Sequence, residues 1–136
     1  IEDKVRMGDP ETQVVLPRIK NDFLDLMVST ANGNLKSKSI EIDEMTYTNV
    51  VLASSGYPEF YEKRKVIEGI DDVLESSVLH AGTINQNGQV LTNGGRVLSI
   101  VSKSDNINGS LKKSYDSIKK VHFEGKTFRK DIGFDL

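Results

Sequence analysis

The chain has 136 residues, enough for one compact core or one core plus part of another, which excludes two large domains. Its 18 Lys and Arg against 20 Asp and Glu give a formal net charge of -2, too little of either sign to hold a nucleic-acid backbone or an anionic membrane. With no cysteine, disulfide frameworks, thiolate zinc sites and cysteine nucleophiles are excluded as well.

The apolar share, 37% against 28% charged residues, is that of a chain that folds. No stretch approaches the roughly 18 apolar residues of a membrane span, and no basic start precedes an apolar run. The expectation is a cytoplasmic protein. Its first residue, Ile1, reads as the start of a processed, trimmed or partial chain.

Asp9 before Pro10 is a helix-start signal: the carboxylate can accept first-turn amides, and proline fixes φ where no N–H is needed. The pattern predicts a short helix from Pro10 to Leu16, stopped by Pro17. A second start at Asn21 leads into residues 22–31, where Phe23, Leu24, Met27, Val28 and Ala31 form one apolar stripe at helical spacing and Gly33 supplies a C-terminal cap. This predicts an amphipathic helix packed on a core. Residues 32–44 turn polar and mark a connection between two units.

Beyond it the character is β. Tyr47 to Ala53 reads as a strand closed by Ser54-Ser55-Gly56-Tyr57-Pro58. Val78 to Ile84 and Gln89 to Thr92 read as two strands joined through Asn87-Gly88, which tolerates positive φ. Asn93-Gly94-Gly95 turns the chain into a further strand, Arg96 to Ser102. Asn106 can cap a last helix with Ile107, Leu111, Tyr115, Ile118 and His122 on one face, weakened at Gly109 by roughly 1 kcal/mol. Residues 123–133 read as a loop or short edge strand.

Three clusters could carry chemistry. In Arg6-Met7-Gly8-Asp9-Pro10-Glu11-Thr12-Gln13 a cation, carboxylates and an amide meet at a helix N-terminus, a setting that suits anions and equally describes a charged cap. In Thr92-Asn93-Gly94-Gly95-Arg96 adjacent glycines let backbone approach a ligand while the arginine can clasp a carboxylate or phosphate; a plain hairpin turn has the same residues. Arg129-Lys130-Asp131 offers an ion pair. His80 and His122 have no metal-ligand spacing, and phosphate-loop, nucleophile-elbow and dinucleotide motifs are absent.

The string RMGDPETQVVLPRIKNDFLDL resembles the end of the ATP-grasp domain in the phosphoribosylamine-glycine ligase (glycinamide ribonucleotide synthetase) family, whose pattern there is E-x-N-x-R-x-G-D-P-E-x-Q. VVLASSGYP, YEK, HAGT, TNGGRVL and HFEGKTFRKDIG resemble, in order, blocks of that family's C-terminal domain, so the match runs from Glu2 to Gly133. Family members are several times longer, and the resemblance is to their C-terminal third.

The resemblance implies an α+β fold. Residues 1–45 would be the helical end of an ATP-grasp domain. Residues 46–136 would form a small antiparallel β C-terminal domain, single-hybrid or barrel-sandwich-like, with a packed helix. It implies an ATP-dependent ligase joining glycine to 5-phosphoribosylamine through a glycyl phosphate in purine synthesis. ATP and Mg2+ (or Mn2+) would be required, and the rest of the same polypeptide would be the partner, with neither nucleic acid nor membrane involved.

By the same resemblance Glu2 is the metal ligand, and Arg6, Asp9 and Glu11 stand beside the glycine and phosphate ends of the site as catalytic residues. Asn93, Gly94, Gly95, Arg96, Arg129 and Asp131 form a wall over the substrate. The chain departs from the pattern at Lys4, where the family has the second metal ligand, an asparagine, and at Asp3, which replaces an aromatic. Glu59 and Arg64 stand where the family has glycines. The alternatives are a non-enzymatic interaction module of the same fold and an ATP-grasp ligase acting on another amine.

Overall fold

The computed structural model describes residues 6–135. Glu2, Asp3 and Lys4 lie outside them. The fold is α+β. Helices α1 (Thr12–Val15) and α2 (Phe23–Ala31) precede strands β1 (Thr46–Ser54), β2 (Ser77–His80), β3 (Thr83–Gln86), β4 (Gln89–Thr92) and β5 (Arg96–Ser104). Helix α3 (Ile107–Ile118) and the short β6 (Lys126–Thr127) follow. A four-stranded antiparallel sheet runs β2-β5-β1-β6, and β3 pairs with β4 apart from it.

In β1 every second residue from Thr48 to Ser54 is buried, which gives that strand one core face. Val97 to Ser102 of β5 are buried without alternation, because this strand is covered on both faces. Val50, Leu52, Val97, Leu98, Ile100, Ile118 and Val121 make the densest part of the core. The expected strand from Val78 to Ile84 divides at Ala81-Gly82 into β2, on the main sheet, and β3, in the hairpin. The break falls where the Gly82 backbone packs on Gly94. The Asn87-Gly88 turn has φ of 53° and 82°, as its residues require.

The Asn106 side chain accepts the Gly109 N–H at 2.9 Å and caps α3 as expected. The face of α3 against the sheet, however, is made by Ser110, Ser114, Ser117 and Ile118, while Ile107, Leu111 and Tyr115 are only half-buried. The serines meet hydroxyls of the strands: Thr48 Oγ1 lies 2.7 Å from Ser110 Oγ, and Ser114 Oγ donates to Ser102 Oγ at 2.8 Å. Ser76 Oγ lies 2.7 Å from both Ser102 Oγ and Ser117 Oγ. Small side chains bring the helix close, and a Cβ on Gly109 would stand 2.5 Å from Ser104 Oγ, so the glycine is required by packing. His122 is not on the helix face; its backbone bridges to Glu68.

The segment before β1 departs further from expectation. Asp9 does not cap α1. The N-cap is Glu11, and the chain passes through Pro17 in a 3-10 turn, Leu16–Arg18, where the missing N–H costs nothing. Asp22, one residue beyond the expected start, caps α2 by accepting from Leu24 and Asp25. The stripe predicted to pack on a core does not: Phe23, Leu24, Met27 and Val28 are 44–71% exposed, and the buried residues of α2 are Leu26 and Ser29. The segment meets the β unit through Asp9, Pro10, Pro17 and Asp43.

Asp43 is the strongest of these ties. Its carboxylate accepts from the Met45 N–H, from Lys103 Nζ at 3.1 Å and from the Tyr47 hydroxyl at 2.9 Å, which together hold its pKa at about 2 instead of 3.8. A carboxylate lowered on folding contributes stability above its unfolded value and loses it as pH falls through the folded one. Relative to Asp43→Asn, the wild type should therefore lose its advantage between 3.8 and about 2. Denaturant unfolding at stepped pH checks this; a difference unchanged down to pH ~2 would show that the contacts do not form.

Arg64 adopts φ of 67° while its N–H bonds to the Thr92 carbonyl at 2.6 Å. The left-handed conformation costs a non-glycine residue about 1 kcal/mol. Arg64→Gly should raise stability by about half to one kcal/mol, measured by chemical denaturation. A loss of stability would mean that the contact of the Arg64 guanidinium with Gln86, at 3.5 Å, outweighs the strain.

Candidate functional site

Two of the sequence clusters meet. At the start of β5 the Arg96 side chain reaches across to the turn before α1, where Nη2 pairs with Asp9 Oδ2 at 3.1 Å and Nη1 donates to the Asp9 carbonyl at 3.2 Å. Both side chains stay partly exposed, at 41% and 47%. The other carboxylate oxygen, Oδ1, accepts from Gln13 Nε2 at 2.7 Å. The carboxylate is thus held at both oxygens, which makes it a clamp on the arginine.

The rest of the first cluster shapes the turn. Glu11 Oε1 accepts the Gly8 N–H at 3.0 Å, and Thr12 binds the Gly8 carbonyl through its N–H and its hydroxyl. Asn49 of β1 donates from Nδ2 to the Pro10 carbonyl at 3.2 Å. Arg6 is exposed and has no hydrogen-bond or ion-pair partner among the described residues. It stands as a second cation on the same turn.

The glycine pair before Arg96 has a use the sequence did not display. A Cβ on Gly95 would fall 2.0 Å from Tyr57 Cδ2, and one on Gly94 would fall 2.9 Å from Gly82 Cα. Their bare faces are therefore filled by an aromatic ring and by another stretch of backbone. Ser54, at the end of β1, binds the Gly95 carbonyl through its N–H at 2.8 Å and the Gly94 carbonyl through its hydroxyl at 3.1 Å. The Asn93 N–H bonds to the Gly82 carbonyl at 2.7 Å. The turn is rigidly clamped, and what it presents outward is the arginine.

Tyr57, Gly82, Ser54 and Asn49 are the residues that sequence reasoning missed. Gln13 stood in the first cluster, and its spacing of four from Asp9 on a helical segment is the signal of their contact. Arg129 and Asp131 form a separate feature. They bind each other, Nε to Oδ1 at 2.8 Å and Nη2 to Oδ2 at 2.6 Å, and the guanidinium holds the carboxyl below its ordinary pKa while its own is raised. Thr127 and Arg96 pair with Ala53 from opposite sides of β1, and the Arg129 pair makes no hydrogen bond or ion pair with Asp9 or Arg96.

The arrangement can bind an anion. Arg96 keeps N–H donors beyond those given to Asp9, Arg6 adds charge, and a guanidinium fork matches a carboxylate or phosphate. Among the described residues no group of three or more His, Asp or Glu side chains could hold a metal ion. Glu2, the ligand expected from the resemblance, lies outside them. No helix among the described residues is long and apolar enough to cross a membrane.

Residues 47–135 match the family model described as phosphoribosylglycinamide synthetase, C domain. The chain is 42% identical over 132 residues to the phosphoribosylamine–glycine ligase of Caldanaerobacter subterraneus, covering 97% of this chain and 32% of that protein. It is 43% identical over 134 residues to the ligase of that name from Neisseria meningitidis, with coverages of 97% and 32%. A bifunctional purine biosynthetic protein of Dictyostelium discoideum is 39% identical over 98% of this chain and 17% of its own length. The crystal structure of phosphoribosylamine–glycine ligase from Thermotoga maritima superposes with a TM-score of 0.81 at 36% identity, over 93% of this chain and 31% of that one. The chain spans about a third of the length of most of these relatives.

Proposed function

Because the chain belongs to the phosphoribosylglycinamide synthetase C-domain family, we propose that it works as the C-terminal part of a phosphoribosylamine–glycine ligase of purine biosynthesis. In this reading residues 1–45 end an ATP-grasp domain that begins upstream, and residues 46–136 are the C-terminal domain. The exposed apolar face of α2, with Ile40 and Ile42 beside it in sequence, supports the division, since an apolar surface of this kind marks a contact with further polypeptide.

The observation that carries the functional reading is the Asp9–Arg96 contact. It joins two of the sequence blocks on which the family resemblance rests, and it leaves cationic donors open to solvent. In the ligase reaction ATP phosphorylates the carboxylate of glycine, and the amine of phosphoribosylamine then attacks the acyl phosphate and expels phosphate. Every ligand carries an anionic group. The part this chain plays is to neutralise and orient that charge, with Arg96 and Arg6 as donors and Asn93 beside them, while Asp9 and Glu11 hold the turn. No step is assigned to a metal, because Glu2, the ligand that the resemblance implies, lies outside the described residues.

The test is turnover. A longer polypeptide that includes this segment should form ADP from ATP only when glycine and phosphoribosylamine are both supplied, and the 136-residue chain by itself should form none. ADP formation by the 136-residue chain, or a longer protein inactive with this substrate pair, would overturn the reading. The second outcome would favour the interaction-module alternative.

A further inference from the structure

Gln13 is part of the first sequence cluster, yet the binding scheme above gives it no task. Its amide is oriented by one contact. Nε2 donates to Asp9 Oδ1 at 2.7 Å, while Oε1 is buried with no hydrogen-bond partner among the described residues. Turning the amide over would set Oε1 against the carboxylate at that distance, two acceptors face to face, so the orphaned oxygen is the cost of keeping the donor on Asp9.

The neighbouring amide behaves alike. Asn49 gives Nδ2 to the Pro10 carbonyl at 3.2 Å and leaves Oδ1 buried and unpartnered. Two buried acceptors without partners are costly in so small a region, and both belong to side chains whose nitrogens grip the Asp9-Pro10 unit. One fixes the carboxylate and the other fixes the backbone. Arg96 then meets both held parts, Oδ2 and the carbonyl of Asp9.

We propose that Gln13 is a positioning residue for Arg96, acting through Asp9: it locks the carboxylate that orients the guanidinium, with Asn49 holding the backbone of the same turn. Two exposed side chains joined only to each other would sample many rotamers and gain little from pairing. Anchoring Asp9 at its second oxygen removes that freedom on one side, so the arginine is presented to a ligand in one orientation. The consequence for catalysis rests on the ligase reading; the consequence for the arginine does not.

The test therefore has two arms. In this chain, NMR of Arg96 should show separate, slowly exchanging Nη–H resonances in the wild type and averaged ones in Gln13→Met, with unchanged amide shifts in β1 and β5. Gln13→Ala makes the same deletion without added volume, should the larger side chain disturb the fold. Unchanged Arg96 resonances in a folded variant would overturn the proposal.

In the longer ligase, Gln13→Met should lower kcat/KM about tenfold when Arg96 is present and less than about twofold in an Arg96→Ala background. Equal losses in both backgrounds would show that Gln13 acts independently of Arg96 and would also overturn the proposal. If the longer protein has no ligase activity at all, the functional reading fails and the NMR arm decides this one.

Discussion

Gly82→Ala should destabilise the protein by roughly 3 kcal/mol and lower its Tm by on the order of 10 °C. The new methyl would stand 2.5 Å from the Arg96 carbonyl oxygen and 2.6 Å from Gly94 Cα, both of them backbone atoms. The backbone is also hydrogen-bonded at this point. The Gly82 N–H donates to the Arg96 carbonyl at 2.8 Å, and the Gly82 carbonyl accepts from Asn93 at 2.7 Å, so the backbone cannot yield without losing hydrogen bonds.

Gly95→Ala makes an informative contrast, because its methyl meets the Tyr57 side chain, which a second change, Tyr57→Ala, removes. Thermal unfolding of the three variants distinguishes the two kinds of collision. If the Tm of Gly82→Ala stays within about 2 °C of wild type, the close approach of the two glycines is wrong.

Arg96→Ala in the full ligase should lower kcat/KM by about a hundredfold while moving Tm little, on the proposal that Arg96 receives substrate charge. The stability side of this expectation follows from exposure. The Arg96–Asp9 pair is two-fifths to half exposed, and pairs of that kind contribute about 1 kcal/mol or less. The β5 backbone that carries Arg96 is held independently by Val97 and Leu98, both fully buried. A large fall in Tm with normal specific activity would make Arg96 a structural residue and remove the centre of the proposed site.

What could be read from the sequence was local. The Asn106 cap, the Asn87-Gly88 turn and the strands around Val50 and Ile100 follow from residue preferences over a few positions, and the structure has them all. The face of α2 could not be read, because a stripe of Phe23, Leu24, Met27 and Val28 suggests burial at helical spacing, whereas the described residues leave it exposed. The face of α3 misled in the opposite sense: Ser110, Ser114 and Ser117 look like a solvated side, and only the hydroxyls waiting on β1 and β5 make it the buried one.

At the candidate site the ingredients were legible and their assembly was not. An arginine after two glycines and an acidic turn before a helix each suggested affinity for anions. That they touch depends on a contact between residues 87 apart, which no local preference encodes. The two glycines were legible as a need for bare backbone, but the sequence could not say that Tyr57 and Gly82, and no ligand, would use it.

The hydroxyls under α3 have a direction. Ser110 spends its one proton on the Ser102 carbonyl and so must accept from Thr48; Ser114 spends its proton on Ser102 Oγ, which leaves Ser102 to donate to Ser76. Each group gives once, in a fixed order that ends on Ser117 or the Lys113 carbonyl. An oily seam tolerates sliding, because one methyl serves nearly as well as another. Here, moving the helix along its axis by one turn would bring Ile118 to the place of Ser114 and set hydrocarbon where Ser102 Oγ now receives a proton. The serines thus behave like the cuts on a key, fixing where along the strands the helix may sit, and with it the position of the tail that returns from the end of the helix to β1.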